Sequence, residues 1–198
     1  GLFTKLTSNS LLEVSKKTDL IFNFPNEQSL GAYLNLGWSY VGKLEWYVKI
    51  KKVMRSYKQL MNQTGYDSIK LQENDKISEQ KINQIREIYE FNGVFKTNIT
   101  KEFLKWRYLQ HPQLNYGMNL IIESKNKQFT YVFIINENDY GRELVVLDYF
   151  GSKDLFINML AELDVLSLRY NTSFISIIKK KNVFEKELMK RFYIKQKR

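Results

Sequence analysis

Three strand signals follow one another between residues 118 and 150, with a helix and a further strand directly behind them. The runs MNLIIES (118–124), FTYVFIIN (129–136) and ELVVLDYF (143–150) are rich in β-branched and aromatic residues. ENDYGR, between the last two, reads as a hairpin turn with Gly141. Residues 154–170 are helical in pattern, SFISIIKK (173–180) is a strand, and a helix from about Val183 to Lys190 leads to a short terminal strand, FYIKQ. Ahead of the three runs, IKLQEN (69–74) is a candidate strand. Ser78 opens a helix through Asn92 with Ile82, Ile85, Ile88 and Tyr89 on one face. Thr100 caps a second helix that closes before Pro112. The order β-α-α-β-β-β-α-β-α-β over 68–198 predicts an α/β fold: a mixed sheet flanked by helices, antiparallel in front with a βαβ unit behind.

The first part of the chain has a different order. Leu2, Leu6, Leu11, Leu12 and Val14 recur at helical spacing over 2–16. DLIFNF (19–24) predicts a buried strand stopped by Pro25. Gln28 to Leu36 predicts a short helix ended by Gly37, and 40–50 an aromatic, β-branched strand. The basic stretch from Lys51 to Met61, closed by Gly65, predicts a connector.

Composition narrows the chemistry. In 198 residues, 43% hydrophobic and 15% aromatic content supplies a core that disordered chains lack. The absence of Cys excludes a disulfide framework, a thiolate zinc site and a cysteine nucleophile, and a single His excludes a multi-histidine metal site. No apolar run reaches membrane-span length and no signal segment opens the chain, so a cytoplasmic protein without a membrane partner is expected. The net charge of +10 suggests a polyanionic partner, but the 31 basic residues are mostly Lys. Arg, the preferred reader of phosphates and base edges, is scarce, so nucleic acid is not the expected partner.

One string is more specific than composition. FPNEQSLGAYLNLGW holds Asn26, Ser29, Tyr33, Gly37 and Trp38 at the spacing N-x2-A/S-x3-Y-x3-G-F/W. It resembles the end of the acetyl-CoA site in GNAT-type N-acetyltransferases. Upstream, GLFTKL resembles the end of that family's phosphate-cradling segment, R/Q-x-x-G-x-G/A followed by a helix. Gly1 stands as its first Gly, and Phe3 stands where a Gly or Ala is commonest. Backbone N–H groups at such a helix start face an anion, and the helix dipole favours it.

The resemblance implies a partial GNAT-like half over residues 1–60. It implies a complete, degenerate GNAT-like repeat over 68–198, as in tandem-repeat mycothiol synthases, N-myristoyltransferases and the aminoacyl transferases of peptidoglycan bridges. In the second repeat GSKDLFINML lacks the phosphate motif. Asn182 follows the SFISIIKK strand, but Met189 stands at the Tyr position and Phe192-Tyr193 replaces Gly-aromatic. The expected substrate is acetyl-CoA, with an amine-bearing small molecule, sugar or peptide as acceptor. Tyr33 is the expected acid for the departing thiolate; Gly1, Leu2, Phe3, Asn26 and Ser29 are the expected cofactor-binding residues, and no metal is implied. Starting in mid-motif implies a fragment that binds CoA weakly by itself. A non-catalytic GNAT-like scaffold and an aminoacyl-tRNA-dependent transferase are the alternatives.

Other residues carry simpler expectations. Asn26 also serves as a helix cap. His111, before Pro112, reads as structural, Trp106 as an anchor and Arg107 as its salt-bridged neighbour. Asp148 is a possible base in the second repeat, and the basic tail from Lys179 to Arg198 reads as a solvated face. The apolar strands at 19–24 and 40–50 are expected to dock on residues 68–198, or to swap into a homodimer.

Overall fold

A computed structural model describes residues 1–51, 67–86, 98–138, 141–179 and 184–196. The chain divides into two units, Gly1–Lys43 and Leu44–Arg198. The sequence boundary near residues 60–68 is therefore displaced towards the N-terminus. Residues 44–50 belong with the second unit because they pair with its strands.

The first unit is two helices, α1 (Leu2–Val14) and α2 (Glu27–Asn35). Asn26 caps α2: its side-chain oxygen accepts the Ser29 backbone N–H at 2.9 Å and the Ser29 hydroxyl at 2.8 Å. The helix ends at Gly37, whose φ of +86° lies in the left-handed region that glycine enters without a Cβ penalty. Residues 19–24 form no strand. With no neighbouring strand to take up their backbone groups, they run as irregular chain, and Phe22 and Phe24 stay largely exposed. None of residues 1–43 is fully buried.

The second unit begins with β1 (Trp46–Ile50), shorter than the stretch 40–50 suggested. Then come β2 (Asp67–Ser68), a 3₁₀ turn at Glu73–Asp75, α3 (Glu79–Gln84) and α4 (Lys101–Leu104), which runs into a π-type turn at Lys105–Leu109. β3 (Gly117–Ser124), β4 (Lys127–Asn138) and β5 (Gly141–Gly151) follow. A 3₁₀ turn leads into α5 (Phe156–Arg169), β6 (Phe174–Ile178), α6 (Glu185–Lys190) and β7 (Ile194–Lys195). The candidate strand at 69–74 does not form: the pairing with β4 falls just ahead of it, at β2 and the Ile69 N–H donating to Ile135 O, after which the chain leaves the sheet and enters the 3₁₀ turn. The helix expected from Ser78 has its Ser78 cap, but Ile85 has already turned extended; Ile88 and Tyr89 lie outside the described residues, as does most of the connector at 51–67.

Among the described residues the strands form one mixed seven-stranded sheet. β3, β4 and β5 are antiparallel neighbours, β5 and β6 run parallel, and β1 lies between β6 and β7, antiparallel to both. Of the stretch at 40–50, residues 46–50 pair as β1 with β6 and β7 inside the second unit. Period-two alternation sends β4 side chains to two cores. Phe129, Tyr131, Phe133 and Ile135 meet α5 residues such as Phe156, Leu160 and Leu163, whereas Val132 and Ile134 meet Ile82, Leu104 and Tyr108 on the α3–α4 side. The architecture is thus a mixed α/β sheet with helices on both faces. A bulge in β5 changes that alternation: Asp148 opposes Val132 and Val146 opposes Phe133, leaving Leu147 as the extra residue. Leu144 and Val146 therefore face α5, and beyond the bulge it is Tyr149 that does so, leaving Asp148 near Tyr108 of the π turn.

Candidate functional site

The motif residues of the first unit converge through local structure. The turn after α2 is held by the Leu36 and Trp38 N–H groups, both donating to Tyr33 O. It brings the Trp38 ring edge-on to Tyr33, with centroids 5.2 Å apart, and Phe3 meets Tyr33 edge-on at the same distance. The one-turn spacing of Tyr33 and Gly37 therefore becomes a three-ring cluster at the start of α1. Such edge-to-face contacts contribute about 0.5–1.5 kcal/mol each.

The cluster leaves polar atoms unused. The Tyr33 hydroxyl has no hydrogen bond among the described residues, and the Trp38 indole N–H is buried without an acceptor. Gly1 is the N-cap of α1 and offers no side-chain cap, so the first-turn N–H groups keep their donors. A Cβ built on Gly1 would meet nothing within 4 Å, so the backbone there is open to approach. Leu2 and Phe3 add no charge, and what they offer an anion is backbone. Asn26 and Ser29, the other two residues expected at the cofactor, form the cap of α2. Asn26 Oδ1 accepts from both the Ser29 N–H and the Ser29 hydroxyl, which leaves the Asn26 amide N–H₂ and the acceptor lone pairs of the Ser29 hydroxyl able to reach a ligand.

The second unit lacks such a cradle after β5. Gly151 has φ of +124°, and a Cβ there would lie 2.2 Å from Gln128 O. The Ser152 N–H donates to that same carbonyl at 2.8 Å. The Phe156 ring, at the start of α5, stacks on Phe184 at 3.8 Å. The Ser152 donor is thus taken by the sheet, and the space beside Phe156 by the Phe184 ring.

The remaining sequence candidates disperse. His111 Nδ1 accepts the N–H groups of Gln113 and Leu114 at 3.3 and 3.1 Å, and its ring packs against Tyr116. Trp106 does not anchor: it is 65% exposed, because the π turn rotates it outward while Tyr108 takes the buried position. Arg107 has no carboxylate partner among the described residues; its charge lies near Tyr108 and Tyr116 instead. Tyr108 donates to Asp148 at 3.4 Å, and burial foremost, with Asp148 adding to it, pushes the phenol well above its ordinary range. In the tail, Lys179 pairs with Glu185 at 2.8 Å and Glu45 at 3.1 Å, and Lys195 pairs with Glu45. Met189 and Phe192 are exposed while Tyr193 is buried. Asn182 lies outside the described residues.

Sequence reasoning missed a polar cavity in the second unit that joins Asp75, Lys81, Asn119, Glu162 and Arg169. No local motif signals it, since its walls come from segments far apart in the chain. No protein-family model, no curated protein and no solved structure matches the chain. Among the described residues no helix is long and apolar enough to cross a membrane.

Proposed function

We propose that the chain is part of an acyl-CoA-dependent N-acyltransferase of the GNAT type, with residues 1–43 contributing to the acetyl-CoA site. The supporting observation is the Tyr33 phenol: it is unbonded, held by Phe3 and Trp38, and set at the helix start whose backbone donors are open. A CoA phosphate suits the α1 N-terminus because N–H groups and dipole both favour an anion there.

In this reading the acceptor amine attacks the thioester carbonyl directly. The C–N bond forms, the tetrahedral centre collapses, and the C–S bond breaks. Backbone N–H groups stabilise the developing oxyanion. The departing thiolate takes the Tyr33 phenolic proton, and the proton lost by the attacking amine goes to solvent. The second unit serves as a degenerate, non-catalytic repeat, a reading supported by the filled space at the start of α5.

Saturation-transfer NMR with millimolar acetyl-CoA on the full chain tests the proposal. Binding is expected, and Phe3→Glu is expected to abolish it. That variant places a carboxylate where the α1 dipole welcomes it but a phosphate does not. Absence of acetyl-CoA binding, or binding indifferent to Phe3→Glu, would overturn the assignment.

A further inference from the structure

Beyond the outer edge of β3, the second unit opens a cavity of about 550 Å³ between α3, β3 and α5. Its charged groups are unusual in what they lack. Asp75 is satisfied: Arg169 Nη1 reaches its two oxygens at 2.7 and 2.8 Å, and the Tyr170 hydroxyl donates to it at 2.6 Å. Lys81 is not neutralised in the same way. Its ammonium donates to the Asn74 and Met118 carbonyls, both at 2.6 Å, and touches no carboxylate among the described residues. Among the described residues Glu162 accepts one hydrogen bond, from the Tyr131 hydroxyl at 2.8 Å, and touches no cation. Asn119 holds that phenol from the other side at 3.0 Å.

Lys81 and Glu162 do not compensate one another. Burial lowers the Lys81 pKa, with the Asp75 charge only partly opposing it, and burial raises that of Glu162, with the Tyr131 hydrogen bond opposing it; no ion pair joins the two among the described residues. Among the charges of the lining, Lys81 and Arg169 against Asp75 leave one positive charge, and Glu162 supplies one negative charge. A half-buried charge without a partner costs free energy that a ligand's opposite charge recovers. Leu120 and Val165 supply the apolar part of the same lining.

We propose that this cavity binds a small zwitterion of the ω-amino-acid class, with its ammonium on Glu162 and its carboxylate on Lys81. An aliphatic spacer packs against Leu120 and Val165, and that apolar lining favours a zwitterion with more than one carbon between its charges. The site is independent of the acyl-transfer reading and uses none of its residues.

Saturation-transfer NMR on the full chain tests it with 4-aminobutyrate, 6-aminohexanoate and L-lysine as probes. Glycine, hexylamine and hexanoate are the controls. At least one long zwitterion is expected to bind, and to bind more tightly than all three controls. Glu162→Gln and Lys81→Met are each expected to weaken it by roughly tenfold or more, the scale of a lost charge-assisted hydrogen bond. Because Lys81 also ties two carbonyls, Lys81→Gln, which keeps a donor, repeats the test if Lys81→Met unfolds. Silence from all three zwitterions, equal binding of hexylamine or hexanoate, or unchanged affinity in folded variants would overturn the proposal.

Discussion

Arg169 and Asp75, 94 residues apart in sequence, meet through one guanidinium nitrogen that contacts both carboxylate oxygens. Asp75 is 3% exposed, so this contact and the Tyr170 hydroxyl fasten the 3₁₀ turn before α3 to the end of α5. The turn is too short to stand alone, and the clamp joins segments otherwise linked through the sheet.

Removing that carboxylate should therefore be costly. Asp75→Ala leaves the Tyr170 hydroxyl without its acceptor, and is expected to destabilise the fold by about 1.5–3 kcal/mol, the range for hydrogen bonds to charged groups. Asp75→Asn, which keeps an acceptor, should lose less. Urea midpoints of the two variants check the order; equal losses would mean that packing rather than charge holds the turn.

Two carboxyl groups should shift the pH dependence of stability in opposite directions. Burial raises the Glu162 pKa, with the Tyr131 hydrogen bond opposing it. A raised folded pKa in an acid means that ionisation costs stability as pH climbs from the unfolded value of about 4.3 through the folded one. Glu162→Gln should raise the urea midpoint at pH 7 and have little effect below the carboxylate range. At Asp164, burial works against the charged form, but Lys49 and Lys51, at 2.8 and 2.7 Å, outweigh it and hold the pKa low. Its contribution is present above the unfolded value of about 3.9 and fades as pH falls through the folded one. Asp164→Asn should therefore destabilise at pH 7 and converge with the parent in acid. The same sign of midpoint change in both variants at pH 7 would contradict this.

Gly151 ends β5 at a positive φ, with Gln128 O in the space a Cβ would occupy. Gly151→Ala should cost about 2 kcal/mol or more, because strain and overpacking act together. Thermal unfolding measures it, and a loss within experimental error would show that the turn can relax.

Tyr33→Phe keeps the rings of Phe3 and Trp38 in contact and removes the phenolic proton. If Tyr33 is the acid, the rate constant of acyl transfer should fall roughly 10²-fold with little change in the acetyl-CoA KM. An unchanged rate would make Tyr33 a packing residue.

What the sequence determined by itself was local. The runs at 118–150, the helix behind them, the Thr100, Ser78 and Asn26 caps, and the Gly37 stop are written in neighbouring residues, and short-range geometry realises them. The tertiary structure decided whatever depended on partners. DLIFNF has strand composition but finds no strand to pair with, whereas WYVKI finds β6 and β7 and becomes β1. The Leu147 bulge, which re-aims Asp148, depends on register against β4. The cluster of Phe3, Tyr33 and Trp38 was half legible: spacing gave the Tyr–Trp pair, and only the approach of two helices added Phe3. The cavity of Lys81 and Glu162 was not legible, because its charges sit 81 residues apart along the chain and share a wall only once the sheet edge brings α3 and α5 together. Hydrogen bonds within a turn are set by adjacent residues, whereas unpaired charges become neighbours only after long-range burial has fixed where each segment lies.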